Sequence, residues 1–127
     1  MTGMEYQELA MRTCDGKATQ RMLALTLSDT TENGIGEDTG LIMNACLGLS
    51  GEVGEFNDMV KKWVFHEKEF DEQEAKKEMG DIMWYVAMAC HAFGWNLDGI
   101  MQMNIDKLKA RFPEGFDTNR ANHKQEG

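Results

Sequence analysis

Between Leu49 and Phe93 apolar residues return at three- and four-residue steps, and the pattern breaks once, at "HEKEFD", residues 66–71. Leu49, Val53, Phe56, Val60 and Trp63 or Val64 make the first stripe; Met79, Ile82 or Met83, Val86, Ala89 or Cys90, and Phe93 make the second. That period belongs to an α-helix with one buried face, not to the two-residue alternation of a half-buried strand. One proline and eleven methionines in 127 residues favour helix further. A link as short as "HEKEFD" turns two long helices back on each other, antiparallel and with their apolar stripes in contact. The expected class is all-α.

The ends of these helices carry their own signals. Asp38 or Thr39 is placed to cap the first long helix, Asp71 with Glu74 resembles a capping box for the second, and Gly94 is a natural stop. Asn96 or Asp98 then opens "LDGIMQMNIDKLKARF", which Pro113 and Gly115 close. Upstream, "MEYQELAMRT" and "ATQRMLALTLSD" read as short helices and "TTENGIGEDTG" as a loop. Ser50 and Gly51 interrupt good helix-forming sequence, so a bend or a close helix contact is expected there. At 14.4 kDa the chain fits one domain, residues 1–127, with a loosely ordered polar tail from about residue 118. Two long helices and a few short ones enclose little core, so a bundle of four to five helices completed by oligomerisation is expected.

Charge and cysteine usage narrow the function. A net charge of −9 without a basic run argues against a nucleic-acid polymer as partner. Cys14, Cys46 and Cys90 are widely spaced and form no CxxC, which suits reduced packing residues in the cytoplasm better than disulfides or zinc. "MTGMEYQELA" lacks a signal-peptide pattern, and no apolar run reaches the roughly 18 residues of a membrane span.

Against this background two acidic pairs stand out: Glu52 with Glu55 and Glu78 with Asp81. Residues three apart on a helix lie about 60° from each other around the axis, so each pair projects from one face. Each borders an apolar stripe, and antiparallel packing would make the pairs converge. Four carboxylates gathered beside a core repel one another unless a cation intervenes. Oxygen ligands without His or Cys favour Mg²⁺, with Mn²⁺ as substitute, over zinc. A diiron site needs Glu-x-x-His, which neither pair supplies. The competing reading is an ordinary solvated acidic face on a helical interaction module.

Cations and rings occur at suitable phases. Lys62, seven residues beyond Glu55, falls on the same helix face, and Asn104, Lys107 and Arg111 form one polar stripe on the last helix. These placements suit phosphate oxygens, whereas Lys61 reads as solvated. Trp63, Trp84 and Tyr85 are candidates for stacking on a base, or simply core aromatics. His66 reads as a loop anchor or substrate contact, His91 as a satisfied core histidine, and Met79, Met83 and Met88 as adaptable packing.

"GLSGEVGEFNDMVKKWVFH", "EMGDIMWYVAMACHAFG" and "NIDKLKARFPEGFD" together resemble the MazG-like all-α nucleoside triphosphate pyrophosphohydrolases, which carry ExxE on one helix and ExxD on the next. The resemblance runs from about residue 40 to 117, "MEYQELAMRT" is similar to the family's opening helix, and "SDTTENGIGED" has no clear counterpart. It implies hydrolysis of a nucleoside triphosphate between its α and β phosphorus atoms, with Glu52, Glu55, Glu78 and Asp81 as ligands of Mg²⁺. It also implies Asn104, Lys107 and Arg111 as phosphate contacts, beside which Lys62 and Trp84 complete the expected substrate site; on chemical grounds Glu52 or Glu55 could, instead of ligating the metal, accept the proton of the attacking water. Pairing of chains, as a homodimer or a dimer of dimers, is implied as well.

Overall fold

The structure is a computed structural model that describes residues 1–29, 37–116 and 118–119. Among these the chain forms five helices and no named strand: α1 (Gly3–Met11), α2 (Ala18–Leu27), α3 (Thr39–Phe65), α4 (Glu72–Phe93) and α5 (Leu97–Arg111). The all-α expectation holds. Most of the expected loop "TTENGIGEDTG" and nearly all of the tail beyond residue 118 lie outside the described residues.

Local chemistry sets the helix ends. Thr2 and Glu5 make a full capping box, each side chain accepting from the other's backbone N–H, at 3.1 and 2.7 Å. Asp38, not Thr39, caps α3 by accepting from the Leu41 N–H at 3.1 Å. Asp71 accepts from the Glu74 N–H at 3.1 Å, but the Glu74 carboxylate turns instead to Lys77 at 2.9 Å, so only half of that capping box forms. Gly94 stops α4 at φ 73, a left-handed conformation that costs glycine little. Asn96 caps α5 through the Asp98 N–H.

The α3–α4 hairpin is the body of the fold. Its antiparallel register can be followed through three contacts. The Asp38 N–H donates to the Ala92 carbonyl at 2.9 Å, Gly48 lies against the Tyr85 ring, and Glu52 and Glu55 face Glu78. A lighter contact joins α2 to α3, where Asp29 accepts from the Thr39 hydroxyl at 2.6 Å and from its N–H at 3.2 Å. α5 shares no comparable seam with α3 or α4.

Close approach of α3 and α4 occurs at Gly48, whose missing side chain makes room for the Tyr85 ring; Gly51, where a contact was expected, faces open space, and α3 runs through Ser50 and Gly51 without a break. Shape explains this: across an antiparallel pair the large Tyr85 finds its glycine at whatever position the register puts opposite. The buried apolar side chains are small, namely Ala45, Ala75, Cys90 and Ala92. Both stripes are only half covered: Val53 and Val64 of the first are 38% and 53% exposed, and Met83 of the second is 65% exposed. Two helices in contact shield one flank of each stripe and leave the other open. Two further expectations fail: Cys14, in the link between α1 and α2, and Cys46 are exposed rather than packed, and His91, in the last turn of α4, is exposed rather than a core residue.

Candidate metal and nucleotide site

α3 presents Glu52 and Glu55 one turn apart, and α4 answers with Glu78 across the seam. One carboxylate oxygen from each of the three lies within 4.8 Å of the others. Glu52 and Glu78 are half-buried beside the stripes, while Glu55 is more open to solvent. The Oε2 atoms of Glu52 and Glu78 are shut off from water and have no hydrogen-bond partner. A buried carboxylate oxygen left without a partner is costly, and two of them side by side more so.

The titration of Glu78 reports that conflict. Its pKa is raised above the ordinary 4.5, chiefly by the neighbouring Glu52 carboxyl and then by burial; contact with Glu55 opposes the rise, and the charges of Glu52 and Asp81 add to it. With both carboxylates ionised neither can donate, so a proton on Glu78 supplies the missing donor. A divalent cation would satisfy the same oxygens without a proton. The donor set is carboxylate oxygen throughout, which fits a hard ion such as Mg²⁺ or Mn²⁺. Asp81, one turn along α4 from Glu78, contributes charge but stands outside the tight trio and is exposed.

Toward the hairpin turn the seam opens into a cleft of about 260 Å³, lined by Asp58, Lys62, Lys68, Phe70, Asp71 and Glu74 among others. Asp58 is one turn beyond Glu55, and Glu74 one turn before Glu78, so cleft and acids lie along one groove. Lys62 reaches Asp58 at 2.7 Å and Lys61 reaches it at 3.5 Å. The Lys62 hydrogen bond is the main reason the Asp58 carboxyl titrates below its usual range. Helical phase put Lys62 on the face of Glu55, and the i, i+4 spacing that pairs it with Asp58 is likewise legible along the chain. Lys68, Phe70 and Glu74 were missed because only the fold of the turn brings them beside Lys62.

Among the aromatic candidates, Trp84 is 58% exposed and meets Tyr85 edge-on, with ring centroids 5.0 Å apart. Trp63 lies against Phe70 at 5.1 Å near the cleft, and His66 is the exposed C-terminal residue capping α3. The stripe on α5 is not packed against the acids within the single chain. Asn104 and Lys107 are exposed, and the Arg111 guanidinium sits over the Phe112 ring, 5.2 Å from its centroid.

Among the described residues no helix is long and apolar enough to cross a membrane. No solved structure matches the chain. The chain is similar to a protein of Mycobacterium phage L5 called Gene 37 protein, with 34% identity over an alignment of 74 residues that covers 54% of this chain and 64% of that relative. The match therefore spans less than two thirds of the phage protein's length. Residues 43–116 match the family model described as the MazG nucleotide pyrophosphohydrolase domain, a segment that includes the acids and the cleft of the α3–α4 seam as well as the separate α5 stripe.

Proposed function

The chain belongs to the MazG nucleotide pyrophosphohydrolase domain family, and on that premise we propose that it is a magnesium-dependent hydrolase of nucleoside triphosphates. It would cleave NTP or dNTP between the α and β phosphorus atoms, with water attacking the α-phosphorus and pyrophosphate leaving. The observation that carries the reading is the convergence of Glu52, Glu55 and Glu78 with two of their oxygens buried and unpartnered. A merely solvated acidic face would not shut carboxylate oxygens away from water, which counts against the non-catalytic interaction module.

In this reading Glu52, Glu55 and Glu78 would hold Mg²⁺, with Mn²⁺ as substitute, and Asp81 would add charge beside them. The bound cation supplies neutralisation of phosphate charge and a more acidic water. One of Glu52 and Glu55 would, instead of ligating the metal, accept the proton of the attacking water; Glu55, the more exposed, is open to solvent for that purpose. Lys62, presented at the edge of the groove by Asp58, takes a phosphate oxygen in place of its carboxylate partner. Trp84 offers an exposed face on which a base stacks. Clearance of surplus or non-standard nucleotides in the cytoplasm is the role that this chemistry fits.

The phosphate contacts assigned to Asn104, Lys107 and Arg111 need α5 brought to the acids, and the single chain does not pack it there. A second copy of the chain would do so while covering the exposed stripes of α3 and α4. A homodimer, or a dimer of dimers, is accordingly part of the proposal. Pyrophosphate release from a panel of nucleoside triphosphates, with and without Mg²⁺, tests the activity. The expected result is metal-dependent release that Glu55→Gln and Asp81→Asn abolish in folded protein; turnover surviving both substitutions would refute the assignment. Solution mass at micromolar concentration tests the pairing, which a stable monomer would overturn.

A further inference from the structure

Gly48 precedes Glu52 by one turn of α3, and Tyr85 follows Asp81 by one turn of α4 and Glu78 by two. The two residues meet in the same seam as the acids, with the Tyr85 ring occupying the space that a Cβ on Gly48 would need. Helix axes cannot approach more closely than the side chains between them permit, and packed interiors transmit such a displacement along rigid helices. In the acidic trio beside this contact the Oε2 atoms of Glu52 and Glu78 have no hydrogen-bond partner, so those two oxygens do nothing to hold α3 and α4 at a fixed distance. The spacing of the trio is therefore inherited from the packing beside it.

We propose that the glycine-to-ring contact between Gly48 and Tyr85 is a spacer that sets the distance between α3 and α4, and thereby the gap among the Glu52, Glu55 and Glu78 carboxylates into which a divalent cation fits. Both are positioning residues: neither contributes a ligand atom to the trio. The inference rests on the proposed metal site and deepens it. A methyl group at position 48 pushes the seam apart and lengthens the reach from Glu52 to Glu78. Gly51, three residues further along α3, faces open space and serves as the control for the change in helix propensity alone.

The test is calorimetric titration of the full chain with Mg²⁺ or Mn²⁺ alone, together with circular dichroism to confirm folding. Gly48→Ala is expected to weaken metal binding by about tenfold or more, the scale on which disturbed supports act on ligands. Gly51→Ala and Tyr85→Phe, which keep the spacer, should stay within about threefold of the parent. Tyr85→Ala should weaken binding, and adding Gly48→Ala to it should do no further harm, because the ring that the methyl group strikes is gone. The inference is overturned if folded Gly48→Ala binds metal as the parent does, or if its effect persists undiminished beside Tyr85→Ala. Should Gly48→Ala fail to fold, the Tyr85 pair decides: equal affinity in Tyr85→Ala and Tyr85→Phe rejects the spacer. A parent chain that binds no metal defeats the metal site itself, a distinct outcome from a parent that binds and is insensitive to Gly48.

Discussion

Glu52 and Glu78 meet across the α3–α4 seam with the Oε2 of each closed off from solvent and unpartnered, and the carboxyl–carboxyl contact with Glu52, followed by burial, holds the Glu78 pKa above 4.5. A carboxyl whose pKa is raised on folding binds more protons in the folded than in the unfolded state over the interval between the two values. Its stabilising contribution is fully present below the unfolded value of 4.5 and is lost as pH rises through the folded value. Without metal, the melting temperature should therefore fall as pH is raised across that window. With saturating Mg²⁺ the dependence should flatten, because the cation takes the proton's place, and titration with Mg²⁺ inside the window should release protons. Calorimetry in buffers of different ionisation enthalpy measures that release.

Glu78→Gln separates stability from metal binding. The neutral amide ends the repulsion and can donate to Glu52, so the metal-free variant should melt no lower than the parent at neutral pH. Mg²⁺ at a hundred times its Kd stabilises a parent that binds one ion by about 2.7 kcal/mol. Most of that increment should vanish in Glu78→Gln, as differential scanning calorimetry with and without Mg²⁺ would show.

Lys62→Ala should leave the fold intact, since its ion pair with Asp58 joins two half-exposed groups. If Lys62 meets a phosphate, KM for the triphosphate rises by about tenfold, the loss of one charge-assisted contact of about 1.4 kcal/mol. Steady-state kinetics at fixed free Mg²⁺ read this directly, and an unchanged KM would remove Lys62 from the substrate site.

The α3–α4 turn carries one backbone outlier, Glu67 at φ 55. A non-glycine residue there costs on the order of 1 kcal/mol relative to glycine. Glu67→Gly should raise the melting temperature by a few degrees in a domain of this size. Asp71→Ala should act in the opposite sense, removing the α4 cap on the Glu74 N–H at a cost of about 1 kcal/mol. Denaturant unfolding of the two variants tests both signs.

Much of the architecture was present in the order of residues. The stripes from Leu49 to Phe93, the stop at Gly94 and the acids at Glu52, Glu55, Glu78 and Asp81 are local patterns, because helical period, capping and glycine's left-handed freedom act over a few residues. Local pattern also put Lys62 on the face of Glu55. It misjudged what lies between elements: Gly51 was expected at the close contact that Gly48 makes, and His91 was expected inside and is exposed.

Helical phase tells which side of each rod a side chain leaves, and the sequence by itself determined that much, together with the elements and the chemical character of the groove. The tertiary structure alone decided which residues face each other, because that depends on how far one helix slides and how closely it approaches the next. A ring against a glycine, Tyr85 on Gly48, has no signature along the chain; it exists only once two distant turns are brought side by side.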